Sequence, residues 1–320
     1  MSLNNAISPW VRAGIVRTVG FMSVPVNSPV SMSVPLGSAA PSAPGPRLPG
    51  WGGKVLRVAI AFIVPLAIDF VLLSLIFLFG ANDLVGDSLT PVGVVIKVVI
   101  SVTVIALNLG LAWLLVTRLD RRPLSDLRLR FDRRALIWFL AMIATALLMA
   151  VIMEVVLGFL GSEPSAENYS SVPVSAVILS VIDRIRAAFL QQGFPEELVW
   201  RGWLFTSLGG TRAAGIVSVV FFTLMHLGSS GGQQNWIDHL IYLAWPFGFA
   251  VAAVVALWAS GSTWAAVGVH VGVHMMWIVE MFMHVSLEQP VARLLEGALW
   301  LVVAAVIWLL ARRGILRKAP

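Results

Sequence analysis

The chain has 320 residues, of which 58% are hydrophobic and only 12% charged, with a mean hydropathy of +0.90 and a formal net charge of +6. This composition excludes a soluble globular domain and makes a bilayer the solvent. The absence of cysteine excludes disulfides, thiolate metal sites, a cysteine nucleophile and lipidation on sulfur, and the basic residues sit beside apolar segments, as topology determinants do, so no nucleic-acid partner is expected.

Residues 1–50 are rich in Ser, Pro and Gly, repeat short phrases such as Met22-Ser23-Val24-Pro25 and Met32-Ser33-Val34-Pro35, and read as a disordered tail. Continuous apolar segments follow at 58–80, 91–117, 134–161, 188–209, 213–228, 237–259, 262–283 and 290–312. Because these runs do not alternate, they predict helices and not barrel strands. The expected fold is all-α, a polytopic transmembrane helical bundle of about eight spans. Its expected divisions are the tail (1–50), the first three transmembrane helices (51–165), a catalytic helical core (166–284), and a last helix with a basic tail (285–320).

The connection after the second segment carries seven arginines, at 118, 121, 122, 128, 130, 133 and 134. The connections at 81–90 and 162–171 carry only Asp83, Asp87, Glu163 and Glu167. The arginine loop is therefore expected in the cytoplasm, which puts both termini there, and Arg312, Arg313, Arg317 and Lys318 agree. The plasma membrane is the expected location. Residues 172–187, where Asp183, Arg184 and Arg186 interrupt an apolar run, read either as an interfacial helix or as the outer half of a long kinked span. Trp51, Trp236 and Trp264, near span ends, read as interfacial anchors. No internal repeat of the transporter kind is present.

Ionisable residues inside spans are costly, so each demands a partner or a task. Gly193 and Pro195 are expected to break the fourth span and leave Glu196 and Glu197 in the first turn of a new half-helix. Arg201, four residues beyond Glu197, lies beside it on the same face. Measured along their helices from the cytoplasmic turns, Glu196, Glu197 and His226 all lie roughly 20 Å deep, and His270 and His274 roughly 14 to 20 Å deep. The four-residue spacing of that last pair puts both on one face. Three helices thus bring carboxylates and imidazoles to one level.

Two chemistries fit such a set. A carboxylate that takes a proton from water, a histidine that shares the proton work and imidazoles aimed at a developing oxyanion suit hydrolysis of a peptide bond. Alternatively, His226, His270 and His274 with Glu196 have the ligand chemistry of a catalytic zinc site.

In order, the motifs are Glu196-Glu197-Leu198-Val199-Trp200-Arg201, then Phe222 with His226 four later, then His270 with His274 four later. They resemble the CAAX prenyl protease 2 and bacteriocin-immunity (CPBP) family of intramembrane endopeptidases. The resemblance covers about 188–284, and Gly202 and the Gly261-Ser262-Thr263-Trp264 lead-in add to it. It implies that Glu196 activates the attacking water with His226, that Glu197 and Arg201 support it, and that His270 and residue 274 stabilise the oxyanion while Phe222 packs the site. Position 274, commonly asparagine in the family, is histidine here. The implied substrate is a membrane-embedded or lipidated polypeptide within the bilayer. The glutamate mechanism requires no cofactor, whereas the alternative uses Zn2+. A transporter that couples protons or cations, and an inactive immunity scaffold, are the competing readings.

Overall fold

The structure is a computed structural model that describes residues 45–78, 90–161, 172–229, 231, 233–283, 287 and 289–316. The expected tail therefore lies outside the described residues as far as residue 44, as do the loops at 79–89 and 162–171 and the basic residues from 317 onward.

Eight helices follow one another: α1 (Gly50–Leu78), α2 (Pro91–Leu119), α3 (Arg133–Phe159), α4 (174–207), α5 (Arg212–Met225), α6 (Trp236–Ser260), α7 (Thr263–Met283) and α8 (Pro290–Arg312). Among the described residues there is no strand. Six of the eight (α1, α2, α3, α6, α7 and α8) are long and apolar enough to cross a membrane. The chain is an integral membrane helical bundle. Its outer helices show lipid-facing side chains such as Phe70, Val95, Val102, Leu148 and Phe159.

The starts of the helices are legible locally. Thr90, Asp132 and Thr211 each accept a hydrogen bond from the backbone N–H three residues on, and Asn235 accepts from those of Ile237 and Asp238. Each satisfies donors that a helix start leaves open. Gly261, at φ 75°, ends α6 in the left-handed conformation that an αL cap requires.

α6 and α7 form the centre. From Thr263 to Val273 nearly every residue of α7 is buried. Small residues allow the close approaches: a Cβ at Gly272 would stand 2.7 Å from the Cβ of Ala146 on α3, and Gly248 on α6 and Gly297 on α8 meet backbone to backbone. This is the small-residue contact by which helices approach in lipid, where dispersion replaces the hydrophobic effect.

From Val174 the stretch 172–187 runs into α4 as one continuous helix, and its charges are absorbed by a network. Arg186 donates to Asp183 (2.6 Å), Ser101 (2.6 Å) and Gln191 (2.9 Å), and Lys97 donates to Asp183 at 3.3 Å. The expected break at Gly193-Pro195 does not occur. Instead the helix widens into π turns at Ala187–Gly193 and Leu198–Leu204 around a short α segment, Phe194–Glu197. Inside an α helix, Pro195 leaves one carbonyl without its donor and its ring strikes the preceding turn. A π turn, with its i to i+5 bonds, absorbs that defect without ending the helix, and such turns recur at functional sites.

The arginine-rich loop is tied to the helices by hydrogen bonds. Arg122 donates to the Thr206 carbonyl (2.6 Å) and Arg134 to that of Ala259 (3.3 Å). Thr263 and Trp264 at the start of α7 donate to the Leu127 (2.7 Å) and Leu129 (2.9 Å) carbonyls. Asp120 accepts from Arg57 on α1 and from Trp203 on α4 (2.8 Å). Trp51 and Trp236 are exposed, as anchors are, but Trp264 stacks with Phe194 and Phe189 and meets Phe131 edge-on. Trp264 is a staple between elements.

Candidate active site

Glu197 is fully buried on the short α segment of α4. Its Oε1 accepts from Arg201 Nη1 at 2.9 Å and from His270 Nδ1 on α7, also at 2.9 Å. One carboxylate oxygen thus ties the first motif to the third. The approach depends on Gly193, one turn earlier: a Cβ there would lie 2.6 Å from both the Ala188 carbonyl oxygen and Val271 Cγ2. Any larger residue would push α4 off α7 beside His270.

Arg201 is equally buried. It donates to the Ala250 carbonyl (3.3 Å) and lies 4.2 Å above the centre of the Phe222 ring, a cation–π contact strengthened by exclusion from water. Phe222 is the hub of the packing. Its ring meets those of Trp200 (5.6 Å), Phe249 (5.5 Å), His226 (4.7 Å) and His270 (5.8 Å).

His226 caps the end of α5, where its Nδ1 lies 2.9 Å from the Phe222 carbonyl. A carbonyl only accepts, so Nδ1 carries the hydrogen and Nε2 is left with a lone pair free to take a proton. His226 lies within electrostatic range of Glu197, His270 and His274. Glu196, next to Glu197, differs from it in being only partly buried and faces the charge of Arg201.

The Nε2 atoms of His270 and His274 lie 3.2 Å apart, with their rings stacked at 5.1 Å. With His270 Nδ1–H committed to Glu197, its Nε2 stands within hydrogen-bond distance of His274 Nε2. That spacing suits two nitrogens on one zinc ion. Among the described residues, however, no three His, Asp or Glu side chains are placed to hold one metal ion together. Of the four candidate ligands, His226, His270, His274 and Glu196, the geometry pairs only His270 with His274 in this way.

The six residues named from the sequence, Glu196, Glu197, Arg201, His226, His270 and His274, lie on α4, the end of α5 and α7, and Arg201, His226 and His270 pack against Phe222. Residues 176–276, about a third of the chain, match the family model of type II CAAX prenyl endopeptidase Rce1-like proteins. This segment is similar to Rce1-like proteins. The Rce1-like segment takes in α4 to α7 almost whole and ends two residues after His274. The matched family is one of type II CAAX prenyl endopeptidases. Among curated proteins none matches the chain.

Beside the Rce1-like motifs lies a second polar group that the motifs do not include. Trp245 on α6 meets His274 edge-on at 5.9 Å and donates through Nε1 to Glu296 Oε1 on α8 at 2.6 Å. Glu296 faces Arg293 Nη1 across 3.7 Å, and the Arg293 guanidinium lies over Trp245 (4.4 Å) and Tyr242 (5.5 Å). Arg293 and Glu296 are both 2% exposed. Three-residue spacing of opposite charges in the first turns of an apolar span is the signal that could have found them.

Proposed function

We propose that the protein is a glutamate-dependent intramembrane endopeptidase in which Glu196 activates the attacking water. The observation that carries this reading is the inequality of the two adjacent carboxylates. Glu197 is buried, with Oε1 shared by Arg201 and His270, which suits a positioning group. Glu196 is partly exposed, which suits a group that must meet water. In this mechanism Glu196 takes a proton from water as the oxygen attacks the peptide carbonyl carbon. His226, through its free Nε2, shares that proton and returns it to the departing amine as the C–N bond breaks. His270, oriented by Glu197, takes up a proton at Nε2 and with His274 donates to the oxyanion in a site where exclusion of water strengthens each hydrogen bond.

The substrate of this reading is a polypeptide tethered to the membrane, with a lipidated C-terminal tail of the CAAX type as the first class to test. Charge counting supports a cytoplasmic arginine loop and cytoplasmic termini, and fusion of a topology reporter to the C-terminus checks it.

The deciding experiment measures cleavage of membrane-tethered reporter peptides by the full chain in nanodiscs, for wild type, Glu196→Gln and His226→Ala, with and without a zinc chelator. Cleavage lost in both variants and resistant to chelation supports the glutamate mechanism. Loss on chelation with rescue by Zn2+ overturns it and assigns His270 and His274 to a metal. Cleavage that persists in Glu196→Gln removes Glu196 from the role of base.

A further inference from the structure

Beside the arginine loop, the start of α1 carries two cavities of opposite chemistry that meet at one residue. The first, about 320 Å³, is polar: Lys54 and Arg57 of α1 line it, with Asp120, Arg121 and Arg122 just after α2. The second, about 740 Å³, is an apolar groove between α1 and α5, with Val58 and Phe62 on one side and Val217, Phe221 and Leu224 on the other. Lys54 lines both. From Lys54 to Ile63 the groove runs about 14 Å along α1, close to the roughly 15 Å hydrocarbon depth of one leaflet.

The polar cavity is held in shape by the backbone. Gly53 admits no side chain, because a Cβ there would lie 1.9 Å from the Leu48 carbonyl oxygen and 2.9 Å from Arg57 Nη1. Residues 45–49 therefore fold closely over the first turn of α1, and the Arg47 N–H donates to the Leu119 carbonyl at 3.0 Å. Arg121 stands at φ 55°, in the left-handed region that residues other than glycine rarely enter. The cations of this cavity are of two kinds. Arg57 is committed to Asp120 and to the Leu48 and Gly53 carbonyls, and Arg122 to Asp126 and the Thr206 carbonyl. Lys54 and Arg121 keep their charge uncompensated: among the described residues Arg121 meets the Gly45 carbonyl at 3.4 Å and Lys54 the Trp51 ring at 5.5 Å. No acid lines the groove, and Asp120 is already taken by Arg57 and Trp203.

We infer that the two cavities together bind one anionic phospholipid from the leaflet on the arginine-loop side, with its phosphate between Lys54 and Arg121 and an acyl chain in the groove between α1 and α5. A groove alone would accept any lipid. Joined to a basic pocket at the end of a spanning helix, it selects an anionic headgroup. Of the six long spans α1 is the least buried, so a chain that fills the groove completes its packing against α5, the helix that ends at His226. The inference does not depend on the protease reading.

Native mass spectrometry of the full chain released from detergent micelles tests it, with phosphatidylglycerol and phosphatidylcholine of identical acyl chains as probes. Wild type retains one phosphatidylglycerol at least about tenfold more tightly than phosphatidylcholine, the effect of two cations facing one phosphate. Lys54→Ala with Arg121→Ala brings the two lipids to within about twofold of each other. Arg212→Ala removes an exposed arginine that lines neither cavity and leaves the preference as it was. Ala59→Trp fills the groove while keeping both cations, and weakens phosphatidylglycerol binding at least about tenfold, since a few displaced methylenes suffice for that. Equal retention of the two lipids by wild type, a preference that survives Lys54→Ala with Arg121→Ala or that is lost in Arg212→Ala, or undiminished binding by Ala59→Trp overturns the inference. Wild type that retains neither lipid also overturns it, and a dimer mass in that case assigns the face to a second copy of the chain.

Discussion

Two of the buried ion pairs in this bundle are finished to different degrees. At the arginine-loop end, Asp120 takes donors from Arg57 and from Trp203, while Arg57 also donates to the Leu48 and Gly53 carbonyls. Neither Arg57 nor Asp120 leaves a buried polar atom unmatched among the described residues. In the centre, Glu197 and Arg201 pair at 2.9 Å, but Glu197 Oε2 and Arg201 Nε have no hydrogen-bond partner there. In a bilayer, where water cannot make up a missing hydrogen bond, saturation is what a purely structural pair should achieve. Capacity left over marks groups arranged for something that comes and goes.

The largest effect that tests this contrast is on chemistry. Glu196→Gln should lower kcat of reporter cleavage by at least about 100-fold, with thermal unfolding in nanodiscs close to wild type, because the amide keeps the shape of the side chain. The saturated pair should answer in the opposite way. Asp120→Ala leaves Arg57 as a buried, unpaired charge and should cost about 3 to 5 kcal/mol of stability, read as a lowered unfolding midpoint, with kcat of the surviving folded enzyme unchanged. Gly193→Ala lies between the two. Its Cβ collides with α7 next to His270, and overpacking of about 1 to 3 kcal/mol should appear both as a lower midpoint and as reduced kcat, since α4 and α7 move together with the chemistry. The smallest effect belongs to Asp126→Ala. Its pairing with Arg122, at 2.6 Å, is partly exposed, and its removal should change stability by no more than about 1 kcal/mol.

Much of this was legible in the residues. Continuous apolar runs fixed the number of helices to within the ends of each, and Thr90, Asp132 and Thr211 marked starts that side-chain capping dictates. The six site residues announced themselves as charges and imidazoles in segments where such groups are expensive. Two features were not legible. Pro195 reads as a helix breaker because local sequence does not say that a preceding turn can take an extra residue, nor that Gly193 lies close against Val271 there. Arg293 and Glu296 were hidden for another reason. They sit near a span end, where water usually satisfies charge, and their burial comes from Tyr242 and Trp245 on another helix. Trp264 misled in the same way, since an indole at a span end is read as facing lipid headgroups until Leu129 and Phe194 are found beside it.

The π turns of α4 have a further consequence. Each spaces its hydrogen bonds i to i+5, so an extra residue is taken up in a widened turn while the helix continues. The segment Phe194–Glu197 is thus flanked on both sides by turns that absorb a change of register. The aim of the carboxylates is set by a vernier inside the helix. Substitutions that adapt either end of α4 to its surroundings need not disturb that aim.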